Sequence, residues 1–527
     1  IRADKDSEFL ESYSKTKAVY KLITSKNRST ITSSIPCSTE DVALNTQLQN
    51  KASKIKANDK VFRTFRIALS CNAEYTNYYG GTVAAALAGM NASMTRINGI
   101  IGKDLAVKFE IIANNDLLIY LDPATDPYSD SATGADNANG ATWNLELQNN
   151  LTTTIGHANY DIGHLLSGTG GGGNAGCIGC ICTNPTPSNP YGKGSGWSAP
   201  SNNNPEGPNF DIDVVAHEIG HQLGGNHTFS FKVEGRGANI EPGSGSTIMG
   251  YAGVVSPSTL NIQAHSDDYY SVNSVQQIQA NLTSKSCSTN TPITNSPPII
   301  NAGLDYTIPK GTAFILKGTG SDPNGDTITY TWEEADNAVT SIDANSICYP
   351  TKVDGPLFRS LKPSSSPIRY MPALSDVLAN TLTTKWESVS NVERTLNFFL
   401  TGRDNAAYGT SQNNSDDMNV NVSGTIGPFA VTSQNTENIG WTKGGSQTIT
   451  WSVNGSESLP GASNVNIKLS TDGGLTFPIT LASNTPNDGT ETITAPNLSA
   501  TNCRLLIEPT ANIFYAINSK IFAIGYS

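Results

Sequence analysis

Charge is scarce in this chain. Only 15% of its 527 residues are Asp, Glu, Lys or Arg, and the bases are outnumbered 33 to 45, for a formal charge of −12. A net charge of that sign argues against nucleic acid or an anionic membrane as a partner, so neither is expected. Long apolar runs are missing as well. The small-residue stretch VAAALAGM at 83–90 falls far short of the ~20 residues that a membrane-spanning helix needs, so no membrane insertion is expected. Histidine is rare, with six in all. The chain starts at Ile1 without a Met or a signal-peptide pattern, which reads as a processed or trimmed product.

What is present points to β-rich modules. Glycine occurs 48 times, and Asn, Ser and Thr are frequent, a profile of loop-rich sheets rather than of a helical enzyme. The length is too great for one core, and about three to four domains are expected. The eight cysteines (Cys37, Cys71, Cys177, Cys180, Cys182, Cys287, Cys348 and Cys503) form an even set. Such a set fits disulfides in an oxidising, secreted setting. A secreted monomer is the expectation.

The pattern divides the chain. Residues 1–61 are polar and weakly patterned. FRTFRIALS (62–70), the amphipathic stretch at 82–101 and AVKFEII (106–112) then read as strand, helix and parallel strand. A helix at 142–155 and a strand at 160–167 follow, so 62–287 is expected to be one α/β domain. The Pro/Thr/Asn-rich stretch 288–298 reads as a linker. Beyond it, alternating segments such as TITYTW (327–332) and TLNFFLT (395–401) predict a β-sandwich at 299–422, of immunoglobulin or PKD type. A break at SGTIGP (423–428) leads to a second immunoglobulin- or fibronectin-like sandwich at 428–527.

Half of the six histidines stand in AHEIGHQLGGNHTF (216–229). On a helix, His217 and His221 are one turn apart and project from one face, where both can bind one metal ion. Glu218 is rotated by about 100° from His217, close enough to hold a metal-activated water without being a ligand. Gly224 permits the left-handed backbone that ends the helix, and His227 then returns as a third ligand. Three neutral imidazoles leave one zinc position open, which suits catalysis rather than structure. STIMGY (246–251) adds a candidate methionine turn, with Met249 and Tyr251.

HExxHxxGxxH together with that turn resembles the metzincin zinc metalloendopeptidases. YDIGHLLSG (160–168), the glycine run after it and AGCIGCIC (175–182) resemble the reprolysin (adamalysin)-like branch, in its secreted bacterial form with C-terminal β-sandwich modules. The resemblance covers about 62–287 and implies a mixed, twisted sheet backed by the active-site helix. It implies a single catalytic Zn2+ on His217, His221 and His227, with Glu218 as general base and acid. Met249 and Tyr251 would form the floor, Tyr251 as structural support. Protein or peptide substrates would lie extended along an edge strand at Asn174, Ala175, Gly176, Cys177 and Ile178. The implied activity is hydrolysis of peptide bonds in extracellular proteins. The alternative is a matrix- or glycan-binding secreted protein whose protease domain is auxiliary, or latent under a pro-region remnant at 1–61.

Several other features have simpler readings. GTGGGG (168–173) lacks the Lys-Ser/Thr of a phosphate loop and reads as a flexible rim. Cys177, Cys180 and Cys182 are expected in disulfides rather than on a metal. His157, His164 and His265 read as surface or packing residues. Cys37, in IPCSTE, stands where a propeptide latch could, but its neighbours match no latch motif, so a disulfide, with Cys71 as one choice of partner, is expected. Asp322, Asn324, Asp326, Asp404 and Asp417 could cage Ca2+ at one end of a sandwich, or simply form polar turns.

Overall fold

The computed structural model describes residues 8–12, 20–24, 37–39, 59–135 and 142–526. The expected β-α-β opening is present. The strand Val61–Cys71 leads through the helix Val83–Asp104 to the strand Val107–Ile111, and the two strands pair in parallel from Arg63 opposite Val107 to Ile67 opposite Ile111. The helix starts where Thr82 caps the amide of Ala85. It buries Met90, Met94, Ile97 and Ile101 against Phe65, Ile67 and Leu69 of the sheet.

The sheet runs in the order Val107–Ile111, Val61–Cys71, Ile162–Leu166, Gly196–Ala199, Gly172–Asn174. All neighbours are parallel except the last pair, which is antiparallel, so the sheet is mixed as expected. The active-site helix, His217–Leu223, follows a wide π-helical turn at Asp211–Ala216. It shares the core of the sheet through Ile219 and Leu223.

The stretch read as a linker does structural work. Thr289–Pro292 is a strand, antiparallel to Val61–Thr64, and it extends the catalytic sheet. All four of its residues are exposed and polar or Pro, which is why the sequence reads as a tether. Two disulfides are present, Cys177–Cys180 and Cys182–Cys287. The second closes a loop whose cross-linking is worth on the order of 4–5 kcal/mol in the chain-entropy account. The Cys37–Cys71 pairing does not occur. Cys71 lies in the core with its sulfur 3.3 Å from the Thr76 hydroxyl, and Cys37 is elsewhere.

Both all-β modules are sandwiches, and they are fused rather than strung. In the first, a four-stranded sheet runs Tyr306–Ile308, Asn413–Val422, Arg394–Arg403, Thr329–Glu334. Facing it, Ala313–Lys317 pairs with Ile368–Met371 on one side and with Phe514–Ile517 of the second module on the other. One sheet therefore crosses the boundary at 423–428. A single core follows it, with Phe314 and Phe398 of the first module joined to Phe429, Trp451 and Phe514 of the second.

The first sandwich is also seated on the catalytic domain. The Arg403 guanidinium bonds Asp104 at 2.7 Å with both groups buried, and Asn413 donates to the Asp104 carbonyl. Glu333 accepts the Val272 amide at the start of the helix Val272–Leu282. Burial pushes the Glu333 carboxyl up to about 8.

Candidate active site

The helix presents the first two histidines as the one-turn spacing requires. At Gly224 φ is +124°, and a Cβ there would meet Asn281 at 2.9 Å, so this turn needs glycine. The chain then doubles back to bring His227 beside the other two. Each imidazole is fixed through its Nδ1. His217 bonds the Ile248 carbonyl and His221 the Gly225 carbonyl, both at 2.7 Å, and His227 bonds Glu234 Oε2 at 2.8 Å. Carbonyl and carboxylate oxygens only accept, so each Nδ1 carries a proton, and in the neutral ring each Nε2 keeps a lone pair.

Those three lone pairs converge. His221 Nε2 lies 3.1 Å from His217 Nε2 and 3.0 Å from His227 Nε2. With all three rings neutral, three acceptors at this distance repel one another unless a cation stands among them. Two zinc–nitrogen bonds at a tetrahedral angle would place the nitrogens about 3.3 Å apart. The residues therefore fit zinc. Burial, and after it the repulsion that a protonated His227 would exert, pushes His217 down to about 3, and His221 is held well below its ordinary value for the same reasons. Both are thus in the neutral form that a metal takes.

Met249 closes the floor. A Cβ on Gly220 would come within 2.5 Å of its sulfur, so the helix rests directly on it. The Ile248 and Met249 carbonyls of the same turn accept from His217 Nδ1 and from the Thr228 amide. Tyr251 packs on His227 with ring centroids 4.8 Å apart. Glu218 is 1% exposed, and burial pushes its carboxyl up to about 7 against the lowering effect of its hydrogen bonds. Its room comes from Gly173, where a Cβ would lie 2.5 Å from the Glu218 side chain. The glycine run read as a flexible rim is therefore, at this position, a steric requirement of the carboxylate.

The cleft is not open. Residues 37–39 lie along its edge strand, Cys37 bridging in parallel to Gly173 and Ser38 donating its amide to the Gly173 carbonyl at 3.0 Å. The Thr39 hydroxyl donates to Glu218 Oε2 at 3.0 Å and accepts the Ala175 amide at 2.7 Å. Tyr251 donates its hydroxyl to the Cys37 carbonyl. The Cys37 sulfur and the three histidine nitrogens all lie within 4.8 Å of one another. Burial and the Glu218 charge push this thiol up to about 11. Cys37 therefore stands at the candidate metal site, which corrects the disulfide expectation. Its local sequence carried no sign of a contact 180 residues away.

Only part of the expected edge strand faces the cleft. Asn174 and Ala175 do. Gly176 turns at φ +71°, and Cys177 and Ile178 enter the disulfide loop behind the helix. There Gly179 and Ile181 donate to the His221 and Gln222 carbonyls and so cap the end of the helix. His164 is a packing residue as expected, fully buried between Gln222 (2.8 Å) and Ser198 (2.9 Å), and burial pushes it down to about 4. His265 bonds Asp213 in the wall beside the cleft.

Of the candidate calcium set, the carboxylates of Asp322, Asp326 and Asp404 come together within 4.8 Å. Burial, and then the two acidic neighbours, push Asp404 up to about 6. Asn324 instead accepts the Ser296 amide, and Asp417 lies opposite Phe399 within the sheet.

Residues 61–281 match the model of the family described as Metallo-peptidase family M12B, reprolysin-like. No curated protein matches the chain. Among solved structures, the Ig1-2 module of the Drosophila receptor protein tyrosine phosphatase DLAR is 10% identical. The match covers 44% of this chain and 98% of that one, with a TM-score of 0.21. The fibronectin(III)-like modules of Clostridium thermocellum CbhA are 9% identical over 43% and 95%, with a TM-score of 0.14. Scores this low decide nothing, and the two sandwiches stand on the strand pairings described above.

Proposed function

With residues 61–281 a reprolysin-like metallopeptidase domain, we propose that the chain is an exported zinc endopeptidase that cuts extended segments of extracellular proteins. The observation that carries this reading is the convergence of three tautomer-fixed Nε2 lone pairs beside a buried carboxylate. His217, His221 and His227 would hold the zinc ion, which would supply Lewis acidity towards a water and the scissile carbonyl. Glu218 takes the proton from the attacking water and passes it to the departing amine. The Gly173 carbonyl and the Ala175 amide offer main-chain pairing to an extended peptide, the same groups that now bind residues 38 and 39. The two disulfides support export.

One zinc per chain is expected from elemental analysis after dialysis without chelator. Casein or peptide cleavage should stop on chelation and return with zinc. Full activity at far below one zinc per chain would overturn the assignment.

The occupied cleft favours a latent form, with Cys37 held at the metal position and Thr39 on the general base. Replacing Cys37 with Ala should raise cleavage of a short peptide by the full chain, by at least about the tenfold that 1.4 kcal/mol of lost latch affinity gives. Equal rates for the two proteins would mean that residues 37–39 are not the inhibitory element.

A further inference from the structure

The three candidate ligands differ in what holds them. His217 and His221 lean on neutral backbone carbonyls, whereas His227 leans on a carboxylate, Glu234 Oε2 at 2.8 Å, in a contact where the side chains are 1% and 11% exposed. Phe229 stacks on the His227 ring at 4.8 Å, nearly parallel, so the ring plane is set by an apolar wall and its rotation within that plane by Glu234. The loop carrying Glu234 is itself pinned. The Asn239 side chain donates to the Phe229 and Lys232 carbonyls, and the Asp343 amide of the first sandwich donates to the Phe231 carbonyl. Lys232 stands 3.5 Å away on the other carboxylate oxygen with its side chain 67% exposed.

We infer that Glu234 is a positioning residue for the third metal ligand. Its carboxylate fixes the Nδ1–H tautomer of His227 and adds a negative charge that strengthens Nε2 as a donor. An acceptor that is charged and largely shielded from water polarises the imidazole more than a carbonyl does, and such partners are worth 10–100-fold in metal affinity, as a rough guide. The inference rests on the zinc reading above. Nothing in the sequence marks Glu234, because it lies seven residues past the motif on a loop whose shape the first sandwich helps to set.

The test is zinc affinity of the full chain, measured by competition with a chromophoric chelator, for the wild type, Glu234→Gln and Glu234→Ala. Glu234→Gln keeps an acceptor oxygen but loses the charge, and about tenfold weaker zinc is expected, with up to about 100-fold for Glu234→Ala. Melting of metal-free Glu234→Gln should barely move, and the visible spectrum of its cobalt-loaded form should shift. Wild-type affinity in Glu234→Gln would overturn the charge role, even if Glu234→Ala failed to fold. A wild type that takes up no zinc at all would overturn the zinc reading first, and this inference with it.

Discussion

Replacing Glu218 with Ala should leave zinc in place and remove turnover. The substitution takes away the buried carboxylate beside the histidines, while each imidazole keeps its own partner: Ile248, Gly225 and Glu234. Loss of general acid–base catalysis corresponds to roughly 10²–10⁴ in rate. His221→Ala is the counterpart. It removes the ligand that lies within 3.1 Å of both others, so zinc and activity should go together. Measured in the Cys37→Ala background on a short peptide, the expected pair is zinc-loaded and inactive against zinc-poor and inactive. Near-normal turnover in Glu218→Ala would remove Glu218 from the mechanism.

Stability adds a second readout. Burial raises the Glu218 carboxyl from its ordinary 4.5 to about 7. A carboxyl raised on folding favours the folded state only while it is protonated. Its ionisation therefore costs stability progressively as pH rises from 4.5 through 7, by about 3 kcal/mol for a displacement of that size. Metal-free Glu218→Ala should thus be at least as stable as the wild type at pH 8, and its advantage should vanish near pH 4. That pattern would mark Glu218 as a group held at a cost to the fold.

How much of this was legible in the sequence follows from the range of the interactions. His217, His221, Gly224 and His227 depend on helix pitch and one glycine turn, so eleven residues specify them. The strand and helix at 61–111 carry their own periodicity and were equally plain. Cys37 is different, because its place depends on a bridge to Gly173 and on Thr39 meeting Glu218, contacts that no local pattern encodes. Gly173 was visible only as part of a glycine run. Its reason, room for Glu218, exists only after folding. The strand Thr289–Pro292 escaped notice because it is exposed, so selection for burial leaves no alternation in it. The fusion of the sandwiches was hidden likewise, since a strand's sequence does not name the strand it pairs with.

A chain ending at Ser288 should fail to cleave even a short peptide, although its composition suggests a clean domain boundary there. The cut removes Thr289–Pro292 and so strips Val61–Thr64, the start of the strand Val61–Cys71, of its antiparallel partner. It also removes Arg403. That residue bonds Asp104 Oδ1, while Asp104 Oδ2 accepts the Tyr270 amide and the Tyr270 hydroxyl donates to the Ala216 carbonyl, one residue before His217. The first sandwich thus supports the active-site helix through three consecutive contacts. A point substitution isolates this effect from the truncation. Arg403→Met leaves the buried Asp104 without its ion-pair partner and should cost roughly 3–5 kcal/mol, whereas Arg403→Met with Asp104→Asn should recover much of it. Denaturant unfolding of the full chain measures both, and peptide cleavage should fall with the single variant more than with the double. A soluble, active chain ending at Ser288 would show that the catalytic domain stands alone and that the sandwiches act only on larger substrates. An inactive one, together with coupling between Arg403 and Asp104, would make the first sandwich part of the catalytic unit.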